Sequence, residues 1–102
     1  MKTFNLKSGV NYVDNGYGHI FGISAGRITN VEVMSDSPGE VGISVRTNGF
    51  DKVKSSVSVS VGNDGYGVSG GLNVLFGYGD TITVTGVPVE SGNKYSVRCY
   101  YE

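Results

Sequence analysis

VKSSVSVSVGNDGYGVSGGLNVLF, residues 53–76, is the stretch whose reading decides the fold. Two alternating runs flank Asp64-Gly65, a dipeptide suited to a two-residue type I′ turn. Folding the segment there sets Val61 against Val68, Val59 against Gly70, Val57 against Leu72, Ser55 against Val74 and Val53 against Phe76. Successive side chains point to opposite faces of a strand, so the other face pairs Ser60 with Ser69, Ser58 with Gly71 and Ser56 with Asn73. One face is apolar; the other is small and polar. A slip of one residue would mix the two sets, so the pattern predicts a β-hairpin in that register.

The same logic extends in both directions. Phe4 and Leu6 alternate up to Ser8-Gly9, and Val10 and Tyr12 up to Asn15-Gly16. His19, Phe21 and Ile23 form a further run, followed by Val31 and Val33 before a Ser-Asp-Ser-Pro-Gly turn at 35–39. Val41, Ile43 and Val45 alternate with Gly42, Ser44 and Arg46, and Asn48-Gly49 turns the chain into the opening segment. Ile82 and Val84 alternate with threonines, and Tyr95, Val97, Cys99 and Tyr101 form the last run. Pro88 cannot donate to a ladder, which places Val87–Val89 at an edge or a strand end. About eight short strands with no amphipathic helix predict an all-β fold. The expected form is a compact antiparallel β-sandwich, mostly hairpin-connected, with a small barrel as the alternative. At 102 residues the chain has the size of one domain spanning 1–102.

Composition excludes several function classes. Net charge is −1 and evenly spread, with four bases and four acids in residues 1–50 and four bases and five acids in 51–102. No basic stripe exists to neutralise phosphates, so no nucleic-acid partner is expected. Cys99 is the sole cysteine, which precludes an intramolecular disulfide, and its alternation with Tyr95, Val97 and Tyr101 predicts a buried thiol. One histidine, His19, and one cysteine make zinc ligation unexpected, and no catalytic motif or cofactor fingerprint is present. No signal peptide or membrane-spanning helix is recognisable, so the expectation is a cytoplasmic or non-classically released protein.

What chemistry the sequence offers lies in a repeated cluster, Gly-Tyr-Gly beside Asp or Asn. It occurs at Asp14, Asn15 and Tyr17, at Asn63, Asp64 and Tyr66, and at Tyr78 and Asp80. The first two copies are offset by 49 residues, near half the chain. Flanking glycines uncover the tyrosine ring, and short carboxylates or amides beside an aromatic face are what sugar recognition uses. The same residues are also what tight turns require. The resulting expectation is a non-enzymatic binding module, lectin-like, for carbohydrate or cell-surface recognition, with these eight residues as ligand-binding candidates. Two alternatives stand beside it. A flat face of Ser56, Ser58, Ser60, Ser69 and Gly71 would suit a homo-oligomeric, self-assembling or coat-type protein. A hairpin of two strands, each about 9–11 residues long, apolar on one side, would suit a membrane-active pore-forming protein.

Overall fold

The computed structural model describes residues 2–9, 12–14, 25–47 and 52–102, and within them the alternating runs do become strands; Val10 and the His19, Phe21 and Ile23 run lie outside the described residues. The strands are β1 (Lys2–Lys7), β2 (Tyr12–Asp14), β3 (Ala25–Ser35), β4 (Gly39–Thr47), β5 (Lys52–Val61), β6 (Tyr66–Ser69), β7 (Val74–Gly77), β8 (Thr81–Gly86) and β9 (Tyr95–Tyr101). One helical turn, α1 (Val87–Glu90), follows β8 where Pro88 ends the ladder. One sheet runs β1-β9-β3, with β6 and β7 in line along the far side of β3 as a single interrupted edge strand. The other runs β2-β8-β4-β5, and every pairing is antiparallel. The sheets are not closed on themselves, so the architecture is the expected sandwich and not the barrel.

Connectivity departs from the expectation. Residues 53–76 are not a hairpin: β5 pairs with β4 in one sheet and β6 pairs with β3 in the other. The chain does turn near the expected place, but the Gly65 N–H donates to Gly62 O (3.0 Å), centring the turn one residue early on Asn63-Asp64. Gly62 N–H donates to Tyr66 O (3.1 Å), and beyond that bond the two arms separate into different layers. Gly67 makes the crossing, buried so close to β5 that a methyl built on it would run into the Ser60 carbonyl. The hairpin involving β5 is instead β4–β5, with Val41 opposite Val59, Ile43 opposite Val57 and Val45 opposite Ser55. Among the described strands, apart from β4–β5 and the in-line pair β6–β7, those consecutive in the chain lie in different sheets, so the described connections are mostly not hairpins.

Inward-facing residues of both sheets form the core. Val41, Ile43, Val45, Ile82 and Val84 from one sheet meet Val31, Val33, Val97, Leu6 and Phe76 from the other, all buried. Val57, Val59 and Val61 of β5 point inward as the alternation requires, though Val57 is only half-buried. Val68 does not: it stands opposite Glu32 on the outer face and is 58% exposed. Ser69, opposite buried Val31, faces inward instead. The interruption at Gly70–Asn73 resets the phase, so that Leu72, Val74 and Phe76 again face the core. The flat polar face expected from Ser56, Ser58, Ser60, Ser69 and Gly71 therefore does not exist as one surface. Ser56, Ser58 and Ser60 lie outward on one sheet, and Ser69 and Gly71 belong to the other edge. The pore-forming hairpin loses its basis in the same way, since its two arms are in separate layers. Sheet edges carry the usual blunting devices: Lys2 and Lys7 on β1, and Lys52, Lys54 and a register shift on β5.

Candidate functional site

The three Gly-Tyr-Gly clusters are not gathered at one end. Tyr66 stands opposite Met34 and Gly77, next to Tyr78, opposite Ala25 at the other end of β3. Nine residues of extended chain separate those positions, about 30 Å. Asp14 pairs with Thr81, so its strand ends beside the 77–80 turn and not near Tyr66. Asn15 and Tyr17 lie outside the described residues. Asp80 is committed to the fold: it is 5% exposed, accepts from Gly77 N–H (2.7 Å) and pairs with Lys54 Nζ (2.6 Å). That carboxylate staples its own turn to the bulged end of β5, where a buried charge needs a partner. Tyr78 is exposed at the same turn. Asn63 and Asp64 are exposed at the β5–β6 turn, and Asp64 Oδ1 accepts the Tyr66 N–H (3.2 Å), a turn role.

Of these candidates, Tyr66 reaches a constellation of functional groups. It projects from β6 onto the outer face of the β1-β9-β3 sheet, where direct cross-strand neighbours form a grid. One row runs Tyr66, Met34, Ser96, Lys7; the next runs Val68, Glu32, Arg98, Asn5; a third holds Asn30, Tyr100, Thr3. Glu32 is at the centre. The Tyr66 hydroxyl donates to Glu32 Oε2 (3.0 Å), and the Tyr100 hydroxyl donates to Glu32 Oε1. Tyr66 and Tyr100 come from opposite sides of β3 and reach Glu32 diagonally, within the range of long side chains on a sheet.

These bonds set the electrostatics of the face. The Tyr100 hydroxyl first, then that of Tyr66, with Arg98 adding attraction, hold the Glu32 carboxyl below the usual carboxylate range. Tyr66 correspondingly gives up its proton less readily than a free phenol because its hydroxyl bonds that carboxylate. Arg98, two residues before Tyr100 on the same face of β9, is held charged still more firmly than usual by that neighbouring hydroxyl first and by Glu32. The result is a cluster on an open face, with Glu32 between two phenols and Arg98 directly across the strand from it. Each carboxylate oxygen accepts one phenol, leaving further lone pairs for a ligand.

Around this cluster the surface is creased by three adjoining depressions. One is lined by Glu32, Met34, Ser96 and Arg98; a second by Asn30, Glu32, Val68 and Tyr100. The third lies at the end of β3 and includes Met34, Asp36, Asp64, Tyr66, Lys94 and Ser96. Backbone bonds from Ser35 N–H to Gly65 O (2.9 Å) and from Asp36 N–H to Lys94 O (3.0 Å) fix both walls of that last depression. Met34 and Val68 are 57% and 58% exposed, leaving apolar surface between the polar groups.

A second carboxylate is organised on the opposite sheet. Glu40 accepts from Ser60 Oγ (2.8 Å) and from Ser58 Oγ, and these hydroxyls, Ser58 foremost, hold its carboxyl below the ordinary range. No aromatic ring joins it on β4 or β5, so it offers a polar patch without a stacking surface. Among the described residues no group of three or more His, Cys, Asp and Glu is assembled that could hold a metal. Cys99 is buried, and desolvation pushes its thiol up to about 12.

Sequence reading missed Glu32, Arg98, Tyr100, Asn30 and Met34. Their signal was present but indirect. If Val31, Val33, Val97, Cys99 and Tyr101 face inward, then Glu32, Met34, Arg98 and Tyr100 face outward together, provided β3 and β9 are neighbours. No protein-family model matches the chain, and no match is found among the curated proteins.

Proposed function

We propose that this protein is a non-enzymatic binding module that recognises carbohydrate through the Tyr66–Glu32–Tyr100 face. The observation that carries the reading is the convergence of two tyrosine hydroxyls from different strands on one exposed carboxylate. Sugars present hydroxyls that need both donors and acceptors, and C–H faces that pack on rings and apolar side chains. Glu32, Asn30, Arg98 and the phenols supply the former; Tyr66, Met34 and Val68 supply the latter. An ionised Glu32 suits a hydrogen-bond acceptor, whereas a general acid needs a raised carboxyl pKa. The reading keeps the sugar-binding expectation but moves the site from three loops to one sheet face, with Tyr66 common to both. A glycan array comparing the wild type with Tyr66→Ala and Tyr100→Ala tests it. Wild-type binding that both substitutions reduce supports the proposal; binding that survives both removes this face from consideration.

A further inference from the structure

We infer that the ligand is a neutral, linear oligosaccharide lying along β3, not a single sugar held at one point. This rests on the carbohydrate reading above and specifies its substrate class. The three depressions are not separate sites: the first two share Glu32, and the first and third share Met34 and Ser96. They follow one strand from Asn30 to Ser35, and five residue spacings of extended chain give a strip of about 17 Å, room for about three pyranose rings end to end.

Polar groups recur along the whole strip and are not concentrated at one spot. Tyr100 and Asn30 serve one end, Glu32 and Arg98 the middle, and Tyr66 with Lys94 and Asp64 the other end. Aromatic rings stand at two stations, on either side of β3 and one row above or below Glu32. That spacing suits successive rings of one chain better than one ring stacked between two platforms. Among the described residues no element closes either end of the strip, which admits the interior of a chain as well as its end.

Charge decides against ionic polymers. Three carboxylates, Glu32, Asp36 and Asp64, stand interspersed with two cations, Arg98 and Lys94, so the strip carries at most one net negative charge, which repels a polyanion and is too little to concentrate a polycation.

Length dependence is the direct test. Glucose, cellobiose, cellotriose and cellohexaose, with the matching chito- and malto-series, are titrated into the full chain by calorimetry, alongside oligogalacturonate of the same lengths. In at least one neutral series the trimer should bind about tenfold or more tighter than the monosaccharide, with less than about twofold gained beyond four units. The Tyr100→Ala variant, with its fold checked by circular dichroism, should flatten that length dependence. Equal affinity for monomer and trimer would overturn the linear-chain inference while leaving sugar binding intact. Preference for oligogalacturonate over every neutral series would overturn its neutral character. No binding in any series, with a blank glycan array, would overturn the carbohydrate reading itself.

Discussion

Replacing Gly67 by alanine probes the crossover between the layers, the feature that separates this fold from a simple hairpin. Gly67 is buried, and its backbone is not among those with positive φ, so the cost of a side chain there is one of space alone. The added methyl would overlap the Ser60 carbonyl oxygen, sit 3.0 Å from that carbonyl carbon and 3.3 Å from Val59 Cγ1. The obstruction is backbone held by the β4–β5 ladder, which cannot swing aside as a long side chain would. Overpacking of this kind costs about 1–3 kcal/mol, here toward the upper end. Stiffening of the unfolded chain offsets about 0.4–1 kcal/mol of it. The net expectation is a loss of about 2 kcal/mol, or roughly 8–16 °C in Tm for a domain of this size. Urea unfolding followed by circular dichroism, with the m-value checked for constancy, measures it. Gly71→Ala is the control: φ is +64° with nothing within 4 Å of the added methyl, so only backbone strain of about 1 kcal/mol applies. In the hairpin register Gly67 would oppose Gly62 with open space beside it, and alanine would be neutral or stabilising. A neutral or stabilising Gly67→Ala would refute the close approach of β5 and β6.

Ile43→Ala should cost about 2–5 kcal/mol in the same urea assay, because Ile43 is fully buried between Val57 and Val84 in the middle of its sheet. Cys99 should resist thiol reagents at neutral pH while the protein is folded and react on denaturation, since burial holds it protonated up to about 12. The depressed Glu32 carboxyl makes a stabilising contribution that is present above its ordinary pKa and lost as pH falls through its lower folded value. Urea midpoints measured across the acid range should therefore fall less steeply for Glu32→Gln than for the wild type; parallel curves would show that the two tyrosine bonds do not matter to folding.

Period-two alternation carried most of the fold. It identified which residues of β4, β8 and β9 face inward, because each of those runs keeps one phase from end to end. On β5 it holds for Val57, Val59 and Val61 but not for Val53, which the register shift turns outward beside Arg46, 46% exposed. It could not choose neighbours, since Val57, Val59 and Val61 match the valines of β4 as well as the residues after Tyr66. Two facts decided the choice: a closer ladder partner across Asn48-Gly49, and a glycine at 67 that lets the chain pass between layers. Val68 faces outward, against the alternation, because the phase after Gly65 is not continuous: Gly70–Asn73 changes it before Val74. The site was less legible still. Glu32, Arg98 and Tyr100 are brought together only by the β3–β9 pairing, 66 residues apart at Glu32 and Arg98, which no local pattern encodes. Asp80 looked like a ligand group in sequence and is a turn staple in space, because the charge that neutralises it, Lys54, comes from β5, 26 residues earlier and at the edge of the sheet that Asp80 leads into.

Backbone amide chemical-shift mapping of the isotope-labelled protein, titrated with the trimer of whichever neutral series binds, tests the central claim most directly. The account predicts a contiguous track of perturbed amides along Asn30–Ser35, flanked by Ser96–Tyr100 and Tyr66–Val68, with the 77–80 turn and the Ser56–Ser60 face silent. Perturbations centred on Tyr78, or on Glu40 and the β5 serines, with the β3 track silent, would contradict it.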